Sequence, residues 1–161
     1  MTIYTEASGF NQGTASAGPL PAISNYRTGV IKVRLDFAAI AAARLAAGQT
    51  AVGAGDGIAA LSIPAMTFVH SAGLNVLTAE GGTLTLDLGD ADDPDGWLDG
   101  VDGNAVAAYA PTHVLTEGAP NVIIGYGKGK LYTVADTLDL ITVNAADAMV
   151  ADLWAICSYI G

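Results

Sequence analysis

The residues best placed to do chemistry lie in one stretch, GDADDPDGWLDGVDG, residues 89–103, which holds six aspartates with Asp87 just before them. Carboxylates at this density suit three uses: a calcium cage, a catalytic pair, or a solvated turn. An EF-hand loop asks for acids at positions 1, 3, 5 and 12 around a glycine at 6. With Gly96 as that glycine, Asp93, Asp95, Asp99 and Asp102 fall at 3, 5, 9 and 12. Position 1 is then Ala91, which has no side-chain oxygen, so the motif fails. A looser Ca2+ site on Asp93, Asp95, Asp99 and Asp102 stays open, because hard cations accept oxygen ligands from irregular loops. Paired carboxylates can also hydrolyse glycosides when held at fixed separation. An Asp-Pro step and three Asp-Gly steps instead favour turns, since Asp caps its own backbone and Gly tolerates positive φ. The reading preferred is a wet connection between strands, with Trp97 and Leu98 tucked under. Its aspartates stay in water or meet a cation of a partner, because like charges repel.

No other constellation carries chemistry. GYGKGK at 125–130 lacks the G-x-x-x-x-G-K-[ST] pattern of a phosphate loop and reads as a hairpin turn with two basic residues. His70 and His113 have no second ligand at metal spacing, and no serine sits in a G-x-S-x-G elbow. Cys157, the single cysteine, lies in the apolar run WAICSYI and reads as core. The chain is expected not to be an enzyme.

The elements that position these residues follow from hydropathy period. VIKVRLDF at 30–37 alternates Ile31, Val33, Leu35 and Phe37 with Lys32, Arg34 and Asp36, a strand with one wet face. AAIAAARLAA at 38–47 is a short helix stopped by Gly48. Strands are predicted over 58–63, ended by Pro64, over 67–71, and over 74–78. TLTLDLG at 83–89 follows with Leu84, Leu86 and Leu88 facing in. Further strands are expected at 113–118, on both sides of the Gly125–Gly129 turn, and over TLDLITVN. The last, ADLWAICSYIG, has two largely apolar faces, as in a strand covered on both sides. Eight to ten short strands make an all-β sandwich or barrel.

Residues 1–29 read differently. They are rich in Gly, Pro, Ser and Asn and show no sustained period. They are expected to form an extended N-terminal arm lying along a neighbouring subunit through Phe10, Leu20, Ile23 and Tyr26, with residues 30–161 as the folded domain.

Bulk properties narrow the partners. The 161 residues carry six Lys plus Arg against sixteen Asp plus Glu, a formal charge of −10. Nucleic acid is excluded as a partner, because binding it takes several clustered cations. An acidic surface also repels anionic lipid heads, and no apolar run is long enough to span a bilayer, so no membrane role is expected. Charged residues make up only 14 %, under the roughly 25 % usual for a soluble domain. With a mean hydropathy of +0.44, that points to surface covered by other protein. The N-terminus lacks a basic region followed by an apolar one, so no signal peptide is expected and assembly in a cytoplasm is.

Residues 28–161 resemble the small proteins that decorate or cement the heads of tailed bacteriophages. The likeness runs through VRLDFAAIAAARLAAG, TAEGGTLTLDLGDADDPDGWLDG and LYTVADTLDLITVNAA. The resemblance implies a jelly-roll-like β-sandwich with no enzymatic activity, sitting on the outer surface of the virion head. It implies contact with the major capsid protein and with copies of itself, a trimer being favoured. The alternative is a carbohydrate-binding β-sandwich module of a head fibre, with Trp97, Tyr109 and Tyr126 stacking on sugar rings.

Overall fold

A computed structural model describes residues 3–5, 28–111 and 125–160. Its elements are β1 (Ile3–Thr5), β2 (Thr28–Asp36), α1 (Phe37–Ala46), β3 (Gly57–Ile63), β4 (Thr67–Thr78), β5 (Thr85–Gly89), β6 (Leu98–Asp102), β7 (Ala108–Tyr109), β8 (Lys130–Tyr132), β9 (Asp136–Thr142) and β10 (Val150–Tyr159). They make a mostly-β, two-sheet sandwich of jelly-roll-like architecture. One sheet has the order β1-β3-β9-β5-β6, the other β2-β10-β4-β7, with β8 also on β4. Every pairing is antiparallel except β1 on β3.

Alternation decides which side chains enter the core. On β2, Ile31, Val33 and Leu35 are buried while Lys32 and Arg34 face out. The helix begins where that alternation stops. The Asp36 carboxylate accepts the Ala39 N–H at 3.0 Å as an N-cap, and Phe37 and Ile40 turn inward. Past the helix end Gly48 takes φ +74° and returns its N–H to the Leu45 carbonyl, as expected of a C-terminal glycine. Across the sandwich Leu61, Ile63, Leu84, Leu86, Leu88, Leu138 and Leu140 meet Val69, Leu74, Met149 and Leu153 in one continuous core. Cys157 belongs to it, and burial pushes its thiol up to about 12. Glu80 holds the approach to β10 by accepting the backbone N–H groups of Asp147, Ala148 and Met149 at 2.7–3.0 Å.

Three expectations need correction. Residues 67–71 and 74–78 are not two strands but one, β4, running unbroken through Ala72 and Gly73. Gly73 does not break it because the adjacent Trp154 ring lies across it: a Cβ there would sit 2.4 Å from Trp154 Cζ2. Second, β10 is not buried equally on both faces. Ala151, Leu153, Ala155 and Cys157 are fully buried, whereas Trp154, Ile156 and Ser158 are half-buried on the outside. Third, Val143 lies past the end of β9 and is exposed. The strands expected at 113–118 and before Gly125 lie outside the described residues, as does the arm apart from β1 and the first two residues of β2. No helix among the described residues is long and apolar enough to cross a membrane.

Candidate functional site

Two polar clusters stand out, and each is assembled by pairing rather than by sequence proximity. The first joins the acidic loop to the glycine-rich turn. β5 ends at Gly89, and the next residue, Asp90, turns inward until its carboxylate is fully buried. Asp90 Oδ1 accepts the backbone N–H groups of Asp92 and Asp93 at 3.0 and 3.2 Å and the Tyr126 hydroxyl at 2.9 Å. Asp90 Oδ2 accepts the Lys130 ammonium at 2.7 Å and the Tyr132 hydroxyl at 2.6 Å. Lys130 also donates to Asp92 and to the Tyr126 oxygen, and lies 4.3 Å from the Tyr126 ring centroid. Trp97 Nε1 donates to the Tyr132 oxygen at 3.3 Å and completes the set.

Burial alone would push the Asp90 carboxyl up. The hydrogen bonds from Lys130, Tyr132 and Tyr126 outweigh it, so Asp90 sits below the usual carboxylate range. The same contacts hold Lys130 above its ordinary value despite burial, and burial pushes the Tyr126 hydroxyl up to about 12. Two glycines allow the approach. Tyr126 N–H meets the Gly96 carbonyl at 2.7 Å, and Gly125 takes φ +80° where a Cβ would lie 2.2 Å from that same oxygen.

This corrects the expectation for the loop. Trp97 and Leu98 do tuck under, and Asp92 and Asp99 are exposed. Asp90, however, is not in water, and its cation comes from its own chain, 40 residues on. A buried carboxylate survives only with charge and donors around it, and this one has both. Trp97, 3 % exposed and tilted against Tyr126 at 5.3 Å between centroids, offers no face to a sugar. Tyr109 is half-buried with its hydroxyl donated to the Asp102 carbonyl.

The Ca2+ candidates are spread out. Asp93 neighbours Asp95, whose hydrogen bond raises the Asp93 carboxyl above its ordinary value. Asp99 and Asp102 sit on β6, and Asp102 caps the Asn104 N–H at 2.9 Å. Among the described residues no group of three or more His, Cys, Asp or Glu is arranged to hold a metal ion. Phe10, Leu20, Ile23 and Tyr26 lie outside the described residues.

The second cluster occupies the outer face of β2, β10 and β4. Arg34 Nε and Nη2 clasp Asp152 at 2.8 and 3.1 Å across the ladder, with Lys32 at 3.6 Å. The Arg34 hydrogen bond holds the Asp152 carboxyl below its usual range. Farther along the strands Ser158 Oγ lies 2.8 Å from His70 Nε2 and 2.9 Å from Thr28 Oγ1. Around this row Val30, Met66, Leu131 and Ile160 are exposed, with Phe68 and Ile156 half-buried among them. Sequence reading missed both polar groupings, since 118 residues separate Arg34 from Asp152 and 88 separate His70 from Ser158.

A serine beside a histidine invites a test for hydrolysis. Among the described residues no carboxylate meets the other ring nitrogen of His70. Ser158 lies on β10, which is paired on both sides, with Thr28 and with Phe68. Its neighbouring backbone N–H groups are therefore taken up by the ladders and cannot form an oxyanion hole. The pair is a surface hydrogen bond, and no catalytic motif is present among the described residues.

With that geometry in hand, known structures supply a parallel. The chain shares its fold with phage-capsid chains. One, from the capsid of Ralstonia phage GP4, has a TM-score of 0.56 at 16 % identity, covering 99 % of this chain and 100 % of that one. A chain of the acidic stable capsid structure of Helicobacter pylori bacteriophage KHP30 has a TM-score of 0.51 at 14 % identity, covering 84 % and 90 %. One from the Cyanophage Pam1 capsid asymmetric unit has 0.50 at 13 %, covering 93 % and 95 %. No family model and no curated protein matches the sequence.

Proposed function

We propose that this protein is a structural, non-enzymatic component of a phage head, which decorates the outside of the shell and stabilises it. The observation that carries this reading is the fold match along the full length of a capsid chain. The outer face of β2, β10 and β4 supports it, with apolar side chains in the open around a polar row. Such a face, its charges paired with one another and with no cleft chemistry, suits contact with protein. The partner proposed is the major capsid protein, reached by this face and by the arm through Phe10, Leu20, Ile23 and Tyr26. A closed homo-oligomer, a trimer by preference, multiplies the modest contact made by each copy.

Quantitative mass spectrometry of purified virions tests the reading. A copy number in fixed ratio to the major capsid protein, together with rebinding of the purified chain to stripped shells, is the expected result. A handful of copies per particle shifts the role to a vertex or neck, and absence from the particle overturns it.

A further inference from the structure

But for β1, β3 would be an edge strand in need of cover. Its sequence GIAALSI carries no charge, and Pro64 comes only after its end. Natural edges of this kind are blunted by lysine, proline or a covering element, because an open apolar edge recruits other strands. On one side β3 pairs with β9. On the other, among the described residues, only β1 covers it, with Ile3 opposite Gly57, Tyr4 opposite Ile58 and Thr5 opposite Ala59. IYT has the β-branched and aromatic make-up that favours such a strand.

The connection from β1 to β2 is the second observation. Residues 6–27 run to about 22 residues, far beyond a usual link between elements. Extended, they reach roughly 75 Å, against a diameter of about 40 Å for a domain of this size. Their only charges are Glu6 and Arg27, at the two ends. A stretch rich in Gly, Ser and Pro and nearly free of charge has the make-up of a linker, here one long enough to reach a neighbouring copy.

We propose that β1 is exchanged between copies: residues 3–5 of one chain add as a parallel strand to the β3 edge of a second copy. The contacts made in exchange are those made within one chain, so exchange costs little once copies are held side by side. It would tie neighbours together by backbone hydrogen bonds rather than by charge. Charge is poorly suited to the task, since Lys32, Arg34, Arg44 and Lys130 all face carboxylates of their own chain. The inference deepens the oligomeric part of the reading above but does not need a shell, so failure of shell binding leaves its test intact.

The test is cysteine pairing on the full chain. Neighbouring strands lie about 4.8 Å apart, within disulfide reach, and native Cys157 is buried and unreactive. Single variants Thr5→Cys and Ala59→Cys are mixed and oxidised, and the double variant is oxidised alone. Exchange gives disulfide-linked dimers on mixing, at least tenfold above either variant alone, and a ladder of multimers from the double variant. Bonds formed only within single chains overturn the proposal, and so does the absence of any bond between the two positions. As a check independent of cysteine folding effects, benzoylphenylalanine replaces Tyr4 in an equal mixture of light and heavy-nitrogen chains. Cross-linked peptides that join light to heavy support exchange; products that are solely light-light and heavy-heavy refute it.

Discussion

Asp90 and Asp152 are both aspartates held below their ordinary range by a cation from a distant part of the chain, yet they do different work. Asp90 is fully buried between two tyrosine hydroxyls, Lys130 and two backbone N–H groups. Asp152 keeps 12 % of its side chain in the open, and its partner Arg34 keeps 53 %. The first pair locks two loops together where water cannot compensate a lost partner. The second lies on a face where water and salt can replace either member. A charge pair is therefore structural or exchangeable according to its surroundings, not its residue types.

The sharpest way to break this comparison is Asp90→Ala. It leaves the buried Tyr132 hydroxyl without its acceptor and Lys130 with only Asp92 and the Tyr126 oxygen, and a loss of about 3 kcal/mol in urea unfolding is expected. A loss under about 1 kcal/mol would show that water reaches the cluster and that the two aspartates are alike. Gly125→Ala comes next. The added Cβ would strike the Gly96 carbonyl in a backbone conformation that disfavours side chains. The expected cost is about 2–3 kcal/mol. Gly48→Ala serves as control, since its φ is also positive but nothing lies within 4 Å; equal losses at both sites would mean that the close approach contributes nothing.

Acid titration sharpens the comparison from another side. Burial raises the carboxyls of Asp87 and Asp139, so the folded chain binds their protons more readily than the unfolded chain. They add stability as pH falls through their folded values toward the ordinary range near about pH 4. Asp90 and Asp152 have the opposite sign. Their contribution is complete above the unfolded value and is lost as pH falls through their depressed folded values. The melting temperature should therefore rise on mild acidification and fall only below the ordinary carboxylate range. A steady decline from neutral pH downward would contradict this balance. The smallest effect belongs to Asp152→Asn, expected to cost under about 1 kcal/mol and less still in high salt. A salt-insensitive loss as large as that at Asp90 would erase the distinction.

Much of the fold was legible. The period-two pattern marked β2 and the Leu84–Leu88 run of β5, and the alanine run with Gly48 marked α1, because each signal is local. The division expected between 71 and 74 was misplaced because the Trp154 ring that crosses Gly73 is not visible in the sequence. Asp90 was less visible still. It was one of six aspartates in its loop, and nothing nearby announced Tyr126, Lys130 and Tyr132. One signal did exist: an aspartate directly after a strand-ending glycine, with free N–H groups two and three residues on, is set to turn its carboxylate inward.

By itself the amino-acid sequence determined the class of molecule: an acidic chain of short alternating strands, poor in charge, with no catalytic or phosphate-binding motif. These properties follow from composition and from spacings of a few residues, where hydropathy and turn chemistry act. Only the tertiary structure decided which aspartate is buried, which face of β10 stays open and which strand edge β1 covers. Each of those depends on what the sheets bring together from 40 to more than 100 residues away, and burial, not residue type, sets the energy of a charge or an unpaired backbone group.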